Sequence, residues 1–113
     1  MRAGEIHLAA FPFGDAPGMK LRPVLLLTPR IASTNEILVA YVSSVIPPAT
    51  LPTDIVLDPQ LAEHRQSGLK VTSVLRLHKL ATIHVTTVRR RLGRLSTESM
   101  DQARAKLRSL LEI

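Results

Sequence analysis

The chain has no cysteine and no tryptophan among its 113 residues. That excludes a disulfide framework and a thiolate metal site, and it fits a reducing compartment without requiring one. Aromatic residues are scarce: Phe11, Phe13 and Tyr41 are the whole set, too few for a platform on which successive bases stack. No apolar run approaches the ~20 residues of a membrane span. The N-terminus places Gly4, Glu5 and His7 where a leader would be continuously apolar. These features lead us to expect a soluble cytoplasmic protein. No glycine-rich loop follows a strand in a nucleotide-binding pattern. His7, His64, His78 and His84 have neither paired helical spacing nor an acidic cluster nearby, so neither a metal nor a cofactor is expected.

What the chain has in excess is positive charge. Lys and Arg number 15 against 9 Asp and Glu, a formal net charge of +6. The surplus gathers late, at Arg89, Arg90, Arg91, Arg94, Arg104, Lys106 and Arg108. A polyanionic partner follows, either nucleic acid or an acidic protein. With 45% hydrophobic residues, a core is affordable, and the length suits one domain over residues 1–113.

Alternation of apolar residues predicts strands over 4–10, 24–27, 36–46, 54–58 and 70–77, with shorter ones at 80–84 and 91–95. Val24 to Leu27 is apolar on both alternating faces, which reads as a strand buried on both sides. Two prolines and two glycines in residues 11–18 predict a loop, and its far end is suited to act as a substrate gate. Asp58 and Pro59 predict a cap and first position for one or two helical turns that Ser67-Gly68 closes. Ser96 predicts the cap of a helix over 97–112, whose Met100, Ala103, Leu107, Leu110 and Leu111 fall at helical spacing.

Arg22-Pro23 stands at the entrance to the buried strand. Pro23 disfavours helical geometry at the residue before it, so Arg22 enters extended, with a planar fork of donors suited to a phosphate. Many strands begin with Arg or Pro without any functional role, so partners are needed. Ser43 and Ser44 end the third strand on opposite faces. On the 70–77 strand, Arg76 and His78 project to one side, roughly 6.5 to 7 Å apart, a spacing that brackets one phosphodiester. An arginine fork, an oriented hydroxyl and a histidine that titrates near neutrality suit RNA cleavage, because RNA carries its own 2′-hydroxyl nucleophile. An exposed strand residue is the plain alternative for His78. A Ser43, His78 and Asp54 hydrolase triad is the weaker alternative, for it lacks a nucleophile-elbow motif.

The segments in order are Gly4-Glu5-Ile6-His7-Leu8, Arg22-Pro23-Val24-Leu25-Leu26-Leu27, Val39-Ala40-Tyr41-Val42-Ser43-Ser44, Leu51-Pro52-Thr53-Asp54-Ile55-Val56-Leu57, Ser67-Gly68-Leu69, Ser73-Val74-Leu75-Arg76 and Gly93-Arg94-Leu95-Ser96. Together they resemble the MazF/PemK family of toxin endoribonucleases. The resemblance implies a mainly β (α+β) fold, an SH3-like small barrel of antiparallel strands with a C-terminal helix, assembled as a homodimer. It implies metal-independent, sequence-selective cleavage of single-stranded RNA that leaves 2′,3′-cyclic phosphate and 5′-hydroxyl ends. It also implies neutralisation by an acidic MazE-like antitoxin. Its catalytic residues map to Arg22 (phosphate stabiliser and proton donor), Ser43, Arg76 and His78, with histidine standing where family members carry aspartate. Lys20, Ser44 and Lys79 are expected to bind RNA. The alternative on the same fold is a non-catalytic nucleic-acid binder or a gyrase poison.

Overall fold

A computed structural model describes residues 1–11 and 20–113. Of the loop expected over 11–18, with its far end at 18–20, residues 12–19 lie outside the described residues, while Phe11 and Lys20 belong to the flanking strands. Six strands follow in order: β1 (Glu5–Phe11), β2 (Lys20–Leu26), β3 (Glu36–Ser43), β4 (Asp54–Leu57), β5 (Ser73–His84) and β6 (Val88–Arg94). The helix α1 (Thr97–Leu111) closes the chain. Short 3₁₀ turns cover Ala62–Ser67 and Val85–Thr87. The two strands expected at 70–77 and 80–84 are one continuous strand, β5.

All strand pairings among the described residues are antiparallel, in the order β4-β5-β3-β2-β1-β6. The expected closed SH3-like barrel is not formed: β4 and β6 are the two edges and do not pair with each other. The cause is local. β4 has only four residues, and Pro59, which cannot donate to a ladder, follows soon after. The chain then folds into the Ala62–Ser67 turn, whose backbone lies against β6. Gly68 ends that turn with φ +72°, the left-handed conformation glycine adopts without steric cost. A side chain at Gly68 would strike the Leu92 backbone, and one at Gly93 would strike the backbone of Gln66 and Ser67. The turn thus occupies the flank of β6 that a barrel-closing strand would need.

Val24, Leu25 and Leu26 are fully buried, as a run apolar on both faces requires. They belong to two clusters, one on each side of the sheet. Leu25 packs with Ile6, Ala40, Val42, Leu75 and Leu77 beneath Met100 and Ala103 of α1. Val24 and Leu26 pack with Ala9, Ile37, Val39 and Ile83 on the other side. The helix is capped as expected: the Ser96 hydroxyl accepts from the Ser99 amide at 3.1 Å, satisfying one of the helix's unpaired donors. Glu98 lies in its first turn, where a carboxylate complements the dipole.

Candidate active site

Residues directly opposite one another in an antiparallel sheet share a face. Asp54 stands opposite Arg76, Arg76 opposite Tyr41, Tyr41 opposite Val24, and Val24 opposite His7. These residues form one row across the sheet. In the next row Ala9 faces Arg22 and Val74 faces Ser43. Extending the β2–β3 register by two residues sets Arg22 across from Ser43. The sheet therefore gathers Arg22, Ser43, Tyr41 and Arg76 on one face.

Arg22 is half-buried, anchored by the fully buried residues that follow it on β2. Among the described residues no side chain pairs with it. Ser43 is 8% exposed. Its hydroxyl accepts from the Val45 amide at 3.1 Å, which holds the turn that ends β3 at Ser43 rather than at the expected Ile46. Ser44 is exposed. It lines a cavity of about 350 Å³ with Lys70, Val71, Ser73 and Arg90, and Arg22 contributes to the wall of that cavity. Ser43 is buried at the end of β3, whereas Ser44, just past it, is exposed and borders the same cavity as Arg22.

Arg76 is committed. Its Nε donates to Asp54 Oδ1 at 3.1 Å and its Nη2 to Asp54 Oδ2 at 3.4 Å. Asp54 also accepts from the Leu51 amide at 2.8 Å, and its side chain has no exposed surface. The carboxylate that matters to Arg76 comes from a neighbouring strand, and only the β4–β5 register reveals it. Asp54 is therefore a partner of Arg76, not of His78 as a hydrolase triad would need.

His78 lies where the β3–β5 ladder is interrupted. Tyr41 pairs with Arg76 while its neighbour Ala40 pairs with Leu80, so residues 77–79 bulge out of the β3–β5 ladder. The Leu77 amide instead donates to the Thr53 carbonyl at 3.1 Å. The bulge keeps Leu77 in the core and turns His78 and Lys79 out to solvent. Lys79 Nζ lies 5.5 Å from the centroid of the Tyr41 ring, within cation–π range. Lys20, at the start of β2, is exposed. Among the described residues no three His, Asp or Glu side chains converge as metal ligands would.

A second polar cluster continues the same face toward β6. His7 is buried, and its Nε2 lies 2.9 Å from Glu5 Oε1. Arg91 Nε is 3.4 Å from Glu5 Oε2, and the Arg2 amide donates to Oε1 at 3.1 Å. The hydrogen bond with His7, helped by the Arg2 amide and the charges of the N-terminus and Arg91, outweighs burial and lowers the Glu5 pKa below its ordinary value.

The family described as PemK-like, MazF-like toxin of type II toxin-antitoxin system matches residues 2–111. The chain belongs to this family. It is thus a toxin of the type II toxin–antitoxin class. No curated protein matches in sequence. The fold of this PemK/MazF toxin is shared with solved structures. It is similar to the MazE–MazF complex (Form-II) from Deinococcus radiodurans, with TM-score 0.76, 20% identity, and coverage of 100% of this chain and 96% of that one. It is similar to the Mycobacterium tuberculosis toxin MazF-mt6, with TM-score 0.74, 22% identity, and coverage of 96% and 97%. A third is an endoribonuclease in complex with its cognate antitoxin from Mycobacterial species, with TM-score 0.74, 16% identity, and coverage of 100% and 96%. No helix among the described residues is long and apolar enough to cross a membrane.

Proposed function

We propose that this PemK/MazF toxin is a metal-independent, sequence-selective endoribonuclease that cleaves single-stranded RNA in the cytoplasm. The observation that carries the reading is Arg22: a half-buried guanidinium with no side-chain partner among the described residues, on the same sheet face as Ser43 and Arg76. The substrate's 2′-oxygen attacks the adjacent phosphorus, the O2′–P bond forms, and the bond from phosphorus to the 5′-oxygen breaks. The products are a 2′,3′-cyclic phosphate and a 5′-hydroxyl. Arg22 donates two hydrogen bonds to the phosphoryl oxygens where charge accumulates. Ser43, at the end of β3, orients the phosphate. Arg76, held by Asp54, fixes the opposite wall of the site, and exposed His78 takes the 2′-hydroxyl proton and delivers a proton to the departing 5′-oxygen. Lys20, Ser44 and Lys79 contact the flanking strand. Family membership, the endoribonucleases among the structural relatives and the net charge of +6 support this reading. A homodimer that shares the RNA groove, and a MazE-like acidic antitoxin that occupies it, complete the proposal.

The test is incubation of the purified protein with a long single-stranded RNA in EDTA, followed by end-group analysis. Discrete fragments with cyclic-phosphate ends, abolished by Arg22→Ala in a folded protein, are expected. Intact RNA together with inhibited gyrase would assign the chain to the gyrase-poison alternative. For His78, the comparison is a pH–rate profile of His78→Ala. A profile identical to that of the wild type removes His78 from proton transfer.

A further inference from the structure

The largest cavity among those described, about 640 Å³, is not the one that Arg22 borders. It lies between the N-terminus, β6 and the start of α1, and Arg2, Arg91, Arg94 and Arg104 contribute to its wall. Two carboxylates face it, Glu5 and Glu98. Glu5 is already held by His7 and Arg91. Among the described residues Arg94 bonds only to a neutral group, Gln66 Oε1, at 3.0 Å. Arg104 is 51% exposed, and its partner Asp101, 3.6 Å away, is 70% exposed, a pairing that solvent screens. The guanidinium charge in this groove is therefore largely available. Ser96 and Thr97 add the positive end of a 15-residue helix to the same wall.

The register connects this groove to the candidate active site. Ala9, His7 and Glu5 of β1 point to one face. Across from them stand Arg22 on β2, and Arg91 and Arg94 on β6. Moving from Ala9 to Glu5 covers roughly 13 Å along the strand, and crossing from β2 to β6 covers about 10 Å. Arg22, Arg91 and Arg94 are thus borne on one face of the sheet, with buried Ala9 and His7 between them, and the groove lies at the far end of this row. A regularly spaced polyanion fits a row of this form better than a compact anion does.

We propose that this groove is an accessory binding site for single-stranded RNA, holding phosphates of the strand that flanks the scissile bond at Arg22. The inference rests on the nuclease reading for the identity of the strand. The groove supplies charge without base-stacking surface, so it contributes affinity and not sequence choice. It makes long RNA a better ligand than a short oligonucleotide that fills only the Arg22 site.

The test uses the full chain and two uncleavable 2′-O-methyl oligonucleotides, one short and one extended, with binding read by fluorescence anisotropy over a salt series. The variant is Arg94→Gln/Arg104→Gln, both at exposed positions. The control is Arg30→Gln/Arg108→Gln, which removes the same charge outside the groove. Each phosphate of a single strand that is left without its arginine flattens the log-affinity against log-salt slope by ~0.7. Two such phosphates therefore shrink the affinity advantage of the extended oligonucleotide by about 25-fold at 0.1 M salt. The control pair retains that advantage. An unchanged advantage in the groove variant, or an equal loss in the control, overturns the proposal. So does a variant that loses affinity for an acidic peptide while holding the extended RNA as before, which would assign the groove to a protein partner. If the wild type binds extended RNA through the groove but cleaves nothing, the nuclease reading fails and the groove stands. If it cleaves and shows no preference for length, the groove fails alone.

Discussion

Replacing Asp54 by Asn tests whether Arg76 is held in place by a buried counter-charge. The Asp54 side chain is fully buried and Arg76 retains 18% exposure. Asn keeps an oxygen for the Leu51 amide but removes the charge that two guanidinium hydrogens address. Breaking such a pair from one side costs about 3–5 kcal/mol, because the remaining ion stays desolvated. Residual solvent at Arg76 sets the expectation at the lower end, about 3 kcal/mol. With an unfolding entropy of ~2.1 cal/mol/K per residue, that lowers Tm by about 12 °C. Thermal and urea unfolding of Asp54→Asn, Arg76→Met and the double variant form a cycle. In the double variant no stranded ion remains, so it is expected to be more stable than Asp54→Asn alone. A single Asp54→Asn cost under about 1 kcal/mol, or a double variant as unstable as the single, would refute the argument. Turnover of Asp54→Asn measured well below its Tm then separates lost positioning of Arg76 from lost folding.

Arg22→Ala is expected to cut single-turnover RNA cleavage by ~10²–10³, the usual effect of removing a transition-state donor, with Tm nearly unchanged because the side chain has no partner among the described residues; an active variant would exclude Arg22 from the chemistry. Gly93→Ala is expected to destabilise by about 2 kcal/mol or more through overpacking against the Ala62–Ser67 turn, read by urea unfolding, and a neutral result would mean that the turn and β6 separate freely. Glu5 has a folded pKa below its ordinary 4.5, so its stabilisation is fully present above about pH 4.5 and is lost as pH falls through the folded value. The Tm difference between wild type and Glu5→Gln should therefore shrink on acidification through that range, whereas a constant difference would show that Glu5 contributes nothing through its charge.

Much of the sheet was legible because its determinants are local. Val24 to Leu26 are apolar on both faces and are buried on both. Ser96 caps α1 where the sequence puts a hydroxyl before the helical periodicity. The barrel was misjudged because closure depends on what β4 and β6 meet across space, and Gly68 and Gly93 admit a turn there instead of a strand. Arg22 and Ser43 were readable as strand-end residues, yet their common face emerges only from the β2–β3 register. The surroundings of His78 were less legible, because a bulge at residues 77–79 interrupts the β3–β5 ladder. Asp54 carried no signal of its own as the partner of Arg76, since two residues 22 apart in sequence meet only when β4 pairs with β5. The groove at α1 draws on arginines whose late clustering was visible, but not on their distribution between the strand and the helix.

An open sheet has a consequence for how this toxin survives at high concentration. Backbone donors and acceptors along the outer side of β6, where the Ala62–Ser67 turn does not cover them, offer a template for another chain's strand. Arg89, Arg90, Arg91 and Arg94 put like charge on both sides of that edge, so two copies approaching it side by side repel. Like charge along an open edge is expected to oppose side-by-side association, so variants that discharge β6 should be assayed for aggregation before a lost activity is ascribed to lost binding.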